Sequence, residues 1–395
     1  MTHGFQPHAS LTALCAFVAL ALTLQIQVQA QSSNPAVSYL YVAGPEAIHA
    51  YNVAADGTMT AMKGAPFAGI LDPYGPGLVN GTYMFAWDGD ITQYDDFLFV
   101  YKIEAGGVLK KVNAIDFGGN YDLRAEDNMF LDKKGETLYV TDDDFDVQEI
   151  HSFKVNWDKA TLTPLGEVDG LPGRPGTTGY FYYPPKFLGN DAYLYAGSDQ
   201  QIMGWTRTSN GSLAAGPSTS IIPLAPPGYV ASVGQIAAAD PTNRMVFTFR
   251  FLEGDPSGPA WGPEQLGVYT ADALGNLVTA DTYLTMPTDA VGGYSYNIQF
   301  SPSGKLIAVS GPAGLQFFHF DGLHITPYTG LVSTASFAYF RWDNSNHLYG
   351  FDSNTGKLHI FNATPASVTE APGSPHRMPF EVSFDFAGFT VQSLN

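Results

Sequence analysis

Short apolar runs separated by Gly, Pro, Asn and Asp mark this chain from residue 39 to its end. The clearest unit is 297–325, NIQFSPSGKLIAVSGPAGLQFFHFDGLHI. NIQF and KLIAV read as two strands joined by Ser-Pro-Ser-Gly, a turn in which Pro presets φ and Gly supplies φ > 0. LQFFHF follows as a third strand, and Asp321-Gly322 predicts a hairpin into a fourth.

Two marks of this unit recur. The first is an aromatic in the third strand: Tyr51, Tyr101, Phe153, Trp205, Tyr269, Phe318 and Phe361, spaced 50, 52, 52, 64, 49 and 43 residues apart. The second is a Gly, Asn or Asp turn followed by Leu, Met or Ile. It is clear at Asp56-Gly57, Gly106-Gly107, Asn210-Gly211, Gly275-Asn276 and Asp321-Gly322, looser at Asp158-Lys159, and without a good copy in the last unit. Four short strands every fifty or so residues predict an all-β fold, a β-propeller of four-stranded antiparallel blades. Seven aromatics predict seven blades, with the 64-residue interval explained by a long insert, Phe251 to Gln265. The first unit opens on YLYVAG (39–44) at its second strand, and the tail EVSFDFAGFTV (381–391) begins like a first strand. The tail is therefore expected to close blade 1, pairing beside YLYV. The alternative is an eighth blade opened by GFTV.

Composition changes this picture mainly at the N-terminus. Leu11 to Leu24 is an apolar run, and Val28-Gln29-Ala30 ahead of Gln31 fits a small-residue cleavage site. Residues 1–30 are expected to be a cleaved signal peptide, and 31–395 a single propeller domain in a secreted or periplasmic protein. Cys15 is the only cysteine, so the mature domain is expected to have neither a disulfide nor a thiolate site. Residues 1–30 carry no Asp, Glu, Lys or Arg, so the net charge of −19 belongs to the remainder. That balance argues against nucleic acid and against docking on anionic lipid. A monomer without membrane insertion of the mature chain is expected.

YLYV, IHAYNV, DGTMTAM and GAPF (39–67), ETLYV and IHSFKV (136–155), and FSPSGKLIAV (300–309) resemble the lactonase-like seven-bladed propellers. That family includes 6-phosphogluconolactonase-type enzymes and secreted proteins rich in Tyr-Val-Thr-Asn repeats. The resemblance covers nearly the whole mature chain and specifies fold better than activity. It implies a catalytic histidine on the inner strand of two neighbouring blades, with Arg and Glu in following blades holding or polarising a lactone. The histidine slots hold Asn128 and Tyr183 here, neither of which is a general base near neutral pH. Arg250 matches the family arginine, and only Asp199 lies near the blade 4 acids.

The polar residues expected on inner strands or at their ends are Asp127, Asn128, Tyr183, Gln235, Arg250, Asn297, Gln299 and Arg341. Two readings stay open: a wet channel simply filled with polar side chains, or a site for a small polar ligand. Trp261 in the insert, and the Tyr180–Tyr183 cluster, either bind a sugar ring or a partner or pack under their own loops. The run Asp142-Asp143-Asp144 with Asp146 lacks the spacing of a Ca²⁺ loop and reads as a solvated acidic loop. His49, His151 and His359 each sit two residues before the recurring aromatic, which reads as a structural repeat position. No cofactor and no metal are expected. No Gly-x-Ser-x-Gly elbow, His-Glu-x-x-His or phosphate loop occurs. The preferred expectation is a non-catalytic binding or interaction module for a small polar ligand or protein partner. The alternative is a divergent sugar-lactone hydrolase using Arg250 to polarise a carbonyl.

Overall fold

A computed structural model describes residues 34–44, 47–68, 77–90, 95–117, 129–142, 149–169, 185–198, 201–217, 222–239, 242–254, 258–380 and 388–394. The expected leader 1–30, the expected site residues Asp127, Asn128 and Tyr183, the Tyr180–Tyr183 cluster, Asp199, and Asp143, Asp144 and Asp146 of the acidic run lie outside them. Among the described residues, no helix is long and apolar enough to cross a membrane.

The strands form seven antiparallel sheets in chain order, each with a four-stranded path. The C-terminal strand Phe389–Ser393 pairs antiparallel with Ala36–Gly44, setting Leu40 opposite Val391 and Tyr41 opposite Thr390. The last strand of the chain is therefore the first strand of blade 1. The eight-blade alternative is excluded, because GFTV completes a sheet instead of opening one. Closure joins the first and last described strands in one sheet of the ring, with Phe389–Ser393 as its innermost strand.

Register explains the recurring aromatic. Tyr51 pairs with Leu40, Tyr101 with Met84, Phe153 with Leu138 and Trp205 with Leu194. Tyr269 pairs with Met245, Phe318 with Ile307 and Phe361 with Leu348. All seven aromatics thus face the same row of the second strand. Apart from half-buried Tyr51, they are buried. The apolar core is correspondingly a ring of layers between blades. Leu40, Val42 and Val53 of blade 1 pack with Tyr349, Phe351 and Ile360 of blade 7, and Tyr41 and Ile48 pack with Met84 and Phe99 of blade 2. Each blade is a two-faced apolar sheet that only its neighbours can cover.

The turn mark has a different cause. The residue after the conserved Leu, Met or Ile row is Tyr41, Phe85, Tyr139, Tyr195, Val246, Ala308 or Tyr349. Three of these tyrosines reach the third-to-fourth-strand turn of the next blade. Tyr41 Oη donates to Gly107 O at 2.8 Å, Tyr139 to Gly211 O at 2.6 Å, and Tyr195 to Gly275 O. Gly211 has φ +101°, and a Cβ there would lie 2.4 Å from Thr137 Oγ1. The turn glycine is therefore required both by its conformation and by its approach to the preceding blade. Two clear turns lack this bond: that of blade 1, where Tyr349 Oη is spent on Asp343, and that of blade 6. Its turn follows Val246, which has no hydroxyl; Gly322 has nothing within 4 Å of its would-be Cβ, and Leu323 is 56% exposed.

The insert in blade 5 is shorter than expected. The second strand, Arg244–Glu253, runs on through Phe251 and Leu252 to pair with Ala231, Val230 and Tyr229. Phe251 and Leu252 are buried, so burial against the long inner strand Tyr229–Ala239 keeps them extended. Gln265 already begins the third strand.

Strand alternation divides the ring into two faces. First-to-second and third-to-fourth turns lie on one, the turn face. Second-to-third loops and the connections between blades lie on the other, the loop face.

Candidate functional site

The loop face between blades 5 and 6 brings together groups that are far apart in sequence. Thr248 and Arg250 come from the second strand of blade 5, Glu264 from the end of the insert, and Asp289 and Ser295 from the connection 279–296 leading to blade 6. Glu264 is 2% exposed and Asp289 5%. One Glu264 oxygen accepts from Thr248 Oγ1 at 2.9 Å; the other accepts from the Ser295 amide at 2.6 Å. Thr248 Oγ1 also lies 3.2 Å from Ser295 Oγ. The inner strand is pressed against this cluster, since a Cβ on Gly234 would lie 2.3 Å from Thr248 Oγ1 and 2.5 Å from Glu264 Oε1.

Two carboxyls buried side by side cannot both ionise easily. Burial pushes Glu264 up, against the hydrogen bonds from Ser295 and Thr248 and the charge of Arg250. Burial and the neighbouring Glu264 push Asp289 up to about 8. The Val291 amide donates to Asp289 Oδ1 at 3.3 Å, whereas Oδ2 is buried without a hydrogen-bond partner. The pair therefore holds a proton to higher pH than ordinary carboxyls do. Arg250 is half-buried, and its Nε is also buried without a hydrogen-bond partner. Tyr294, beside Ser295, is 44% exposed and meets Tyr296 edge-on at 5.2 Å.

The other expected residues have specific placements. Gln235 and Gln299 lie on the inner strands of blades 5 and 6, and both amides are spent on the next blade. Gln235 Nε2 donates to Tyr296 O. Gln299 Nε2 donates to Phe340 O at 2.7 Å and lies 3.4 Å from Asn297 Oδ1. Asn297 is buried on the same strand. Arg341, on the blade 7 inner strand, is half-buried, with Nη1 3.3 Å from Phe340 O. Trp261 is 37% exposed, with its ring edge-on to Tyr283 at 5.5 Å and to Phe251 at 6.3 Å. It therefore packs over its own loop while one part stays open to solvent.

Sequence reasoning found Arg250 and missed Glu264, Asp289, Thr248 and Ser295. The available signal was weak. Glu264 directly precedes the buried strand Gln265–Ala271, and Asp289 lies within a strandless connection that is long for a propeller.

No protein-family model matches the chain, and no curated protein matches it in sequence. Solved structures do. A proposed 6-phosphogluconolactonase from Bacteroides fragilis aligns over 92% of this chain and 99% of its own, with a TM-score of 0.60 at 12% identity. A protein from Lactobacillus plantarum aligns over 91% of this chain and 100% of its own, with a TM-score of 0.60 at 14% identity. At such identities the likeness concerns the path of the backbone rather than retained side chains. The chain has the seven-bladed propeller fold of these structures.

Proposed function

We propose that this protein is an exported binding propeller that takes a small polar ligand, bearing a carbonyl or carboxylate, at the blade 5–6 mouth through Arg250. The observation that carries this reading is the Arg250 guanidinium. It is half-open to the loop face, its buried Nε–H has no partner, and the acids behind it hold its charge. A guanidinium so placed is suited to a planar oxygen ligand. Glu264 is a poor candidate for a general base, because it is buried and both its oxygens already accept hydrogen bonds.

A second reading is favoured by Asp289. A carboxyl kept protonated toward neutral pH beside Glu264 is a group a lactone hydrolase can use to protonate a leaving oxygen. The likeness to a proposed 6-phosphogluconolactonase is compatible with it.

The test is a calorimetric titration of residues 31–395 with sugar acids and sugar lactones, alongside hydrolysis measured against the buffer rate. Saturable binding that weakens at least tenfold in Arg250→Ala, without turnover, is the expected result. Turnover that falls in both Arg250→Ala and Asp289→Asn would replace the binding reading with the hydrolase. Binding that is indifferent to Arg250 would remove this mouth from consideration.

A further inference from the structure

The repeat position two residues before the recurring aromatic holds histidine in blades 1, 3 and 7, and the three histidines are used in three ways. His49 lies 4.5 Å from the Phe380 ring. His359 Nδ1 lies 2.8 Å from Glu370 Oε1, a closed hydrogen-bonded pair. His151 differs from both. It is 7% exposed, and each ring nitrogen faces a separate carboxylate: Nδ1 is 3.4 Å from Glu167 Oε2 and Nε2 is 3.4 Å from Glu149 Oε2.

We propose that Glu149, His151 and Glu167 form a divalent transition-metal site on the loop-face edge of blade 3. One ligand atom from each residue lies within 4.8 Å of the other two. The strands fix this arrangement. His151 pairs directly with Glu167 across the third and fourth strands, and Glu149 stands two residues earlier on the same face. The 3.4 Å intervals exceed the roughly 2.7–3.2 Å of an N–H···O hydrogen bond. An ion takes only one ring nitrogen; the 3.4 Å from that nitrogen to its nearer glutamate matches the span between two ligands held at about 2.0–2.2 Å by one tetrahedral ion, and the other glutamate's ligand atom lies within 4.8 Å. The equivalent blade 7 pair, closed at 2.8 Å, leaves no such space.

The donor set selects the ion. One imidazole with two carboxylates suits Zn²⁺ or Mn²⁺ better than Ca²⁺, which takes an all-oxygen shell. The Glu149 and Glu167 side chains are 31% and 60% exposed, giving an ion a route from solvent. A bound ion would tie the third strand of blade 3 to the fourth.

The test uses tag-free residues 31–395, stripped with a chelator and titrated with Zn²⁺ and with Mn²⁺ alone. Calorimetry and Co²⁺ absorption read the coordination directly. One saturable equivalent is expected, with a raised melting temperature in the presence of metal. Both effects should be lost in Glu149→Gln/Glu167→Gln and retained in His359→Gln. Those glutamates are solvent-accessible, so the double variant keeps the test valid even if His151→Gln fails to fold. The proposal is overturned if the wild type shows no saturable equivalent. It is equally overturned if the double variant binds as tightly as the wild type, which would mark diffuse attraction to an acidic surface.

Discussion

On the turn face, where blade 7 meets blade 1, Asp343 sits with His347, Tyr349 and Ser38, all 1% exposed or less. On the loop face, where blade 5 meets blade 6, Glu264 sits with Asp289, Thr248 and Ser295. Both clusters bury a carboxylate among hydroxyls at a blade junction, but their charge balance is opposite. Asp343 Oδ2 lies 2.7 Å from His347 Nδ1 and accepts from Tyr349 at 2.7 Å and Ser38 at 2.9 Å. His347 Nε2 faces Ala55 O at 3.2 Å, so both ring nitrogens face acceptors, an arrangement that favours the imidazolium. Burial pulls His347 down, but the Asp343 hydrogen bond and charge outweigh it and the net shift is upward. Burial likewise raises Asp343, and the His347 interactions more than reverse it. The closure is therefore neutral overall and saturated with hydrogen bonds, which suits a structural clasp. The mouth pairs acid with acid, beside an arginine whose Nε is unpartnered. Such imbalance is the ground on which the mouth is proposed as a ligand site.

Breaking the clasp gives the largest expected effect. Asp343→Ala leaves a buried imidazolium unpaired and should cost about 3–5 kcal/mol in denaturant unfolding. A loss below about 1 kcal/mol would mean that the closure does not depend on this pair. The clasp also has a pH signature. The His347 contribution is complete below its unfolded value near 6.5 and fades as pH rises through the higher folded value. The Asp343 contribution is present above its unfolded value near 3.8 and fades as pH falls through the lower folded value. His347→Gln should abolish the alkaline loss and leave the mouth unchanged.

The turn-face pins come next. Gly211→Ala forces a side chain to φ +101° against Thr137 and should cost about 1–3 kcal/mol. Tyr139→Phe should cost about 0.5–1.5 kcal/mol, the worth of one hydrogen bond. Gly322→Ala meets the same backbone penalty without the clash, so it should cost less than Gly211→Ala. Equal losses would show that docking on the preceding blade adds nothing.

The smallest expected change at neutral pH is in the stability of Asp289→Asn. Because the folded value of Asp289 is raised, its contribution is full below about 3.8 and lost as pH rises to about 8. The wild type should therefore lose stability across that window more steeply than the variant. Parallel melting profiles from pH 4 to 9 would show that Asp289 ionises normally, and the contrast between mouth and clasp would fail.

Much of the ring was legible in the sequence. The recurring aromatic, the turn glycines and the first-strand character of the tail are local properties, repeated because every blade solves the same burial problem. The insert was misjudged because Phe251 and Leu252 resemble loop residues until the eleven-residue inner strand is known to lie opposite them. Gln235 and Gln299 were recognisable as inner-strand polar residues. Their hydrogen bonds to Tyr296 and Phe340 were not, because these cross from one blade to the next.

By itself, then, the chain's periodicity determined the blade and predicted seven copies closed by the tail, while the eight-blade alternative fell only to the pairing of Phe389–Ser393 with Ala36–Gly44. Periodicity is sufficient there because strand alternation and turn conformation are set by neighbouring residues. Only the tertiary structure decided the electrostatics. It brought Glu264 against Asp289 in one junction, Asp343 against His347 in another, and His151 between two glutamates. The charge state of a buried group depends on which groups share its low-dielectric surroundings, and in a closed ring those come from strands and connections that the sequence keeps apart.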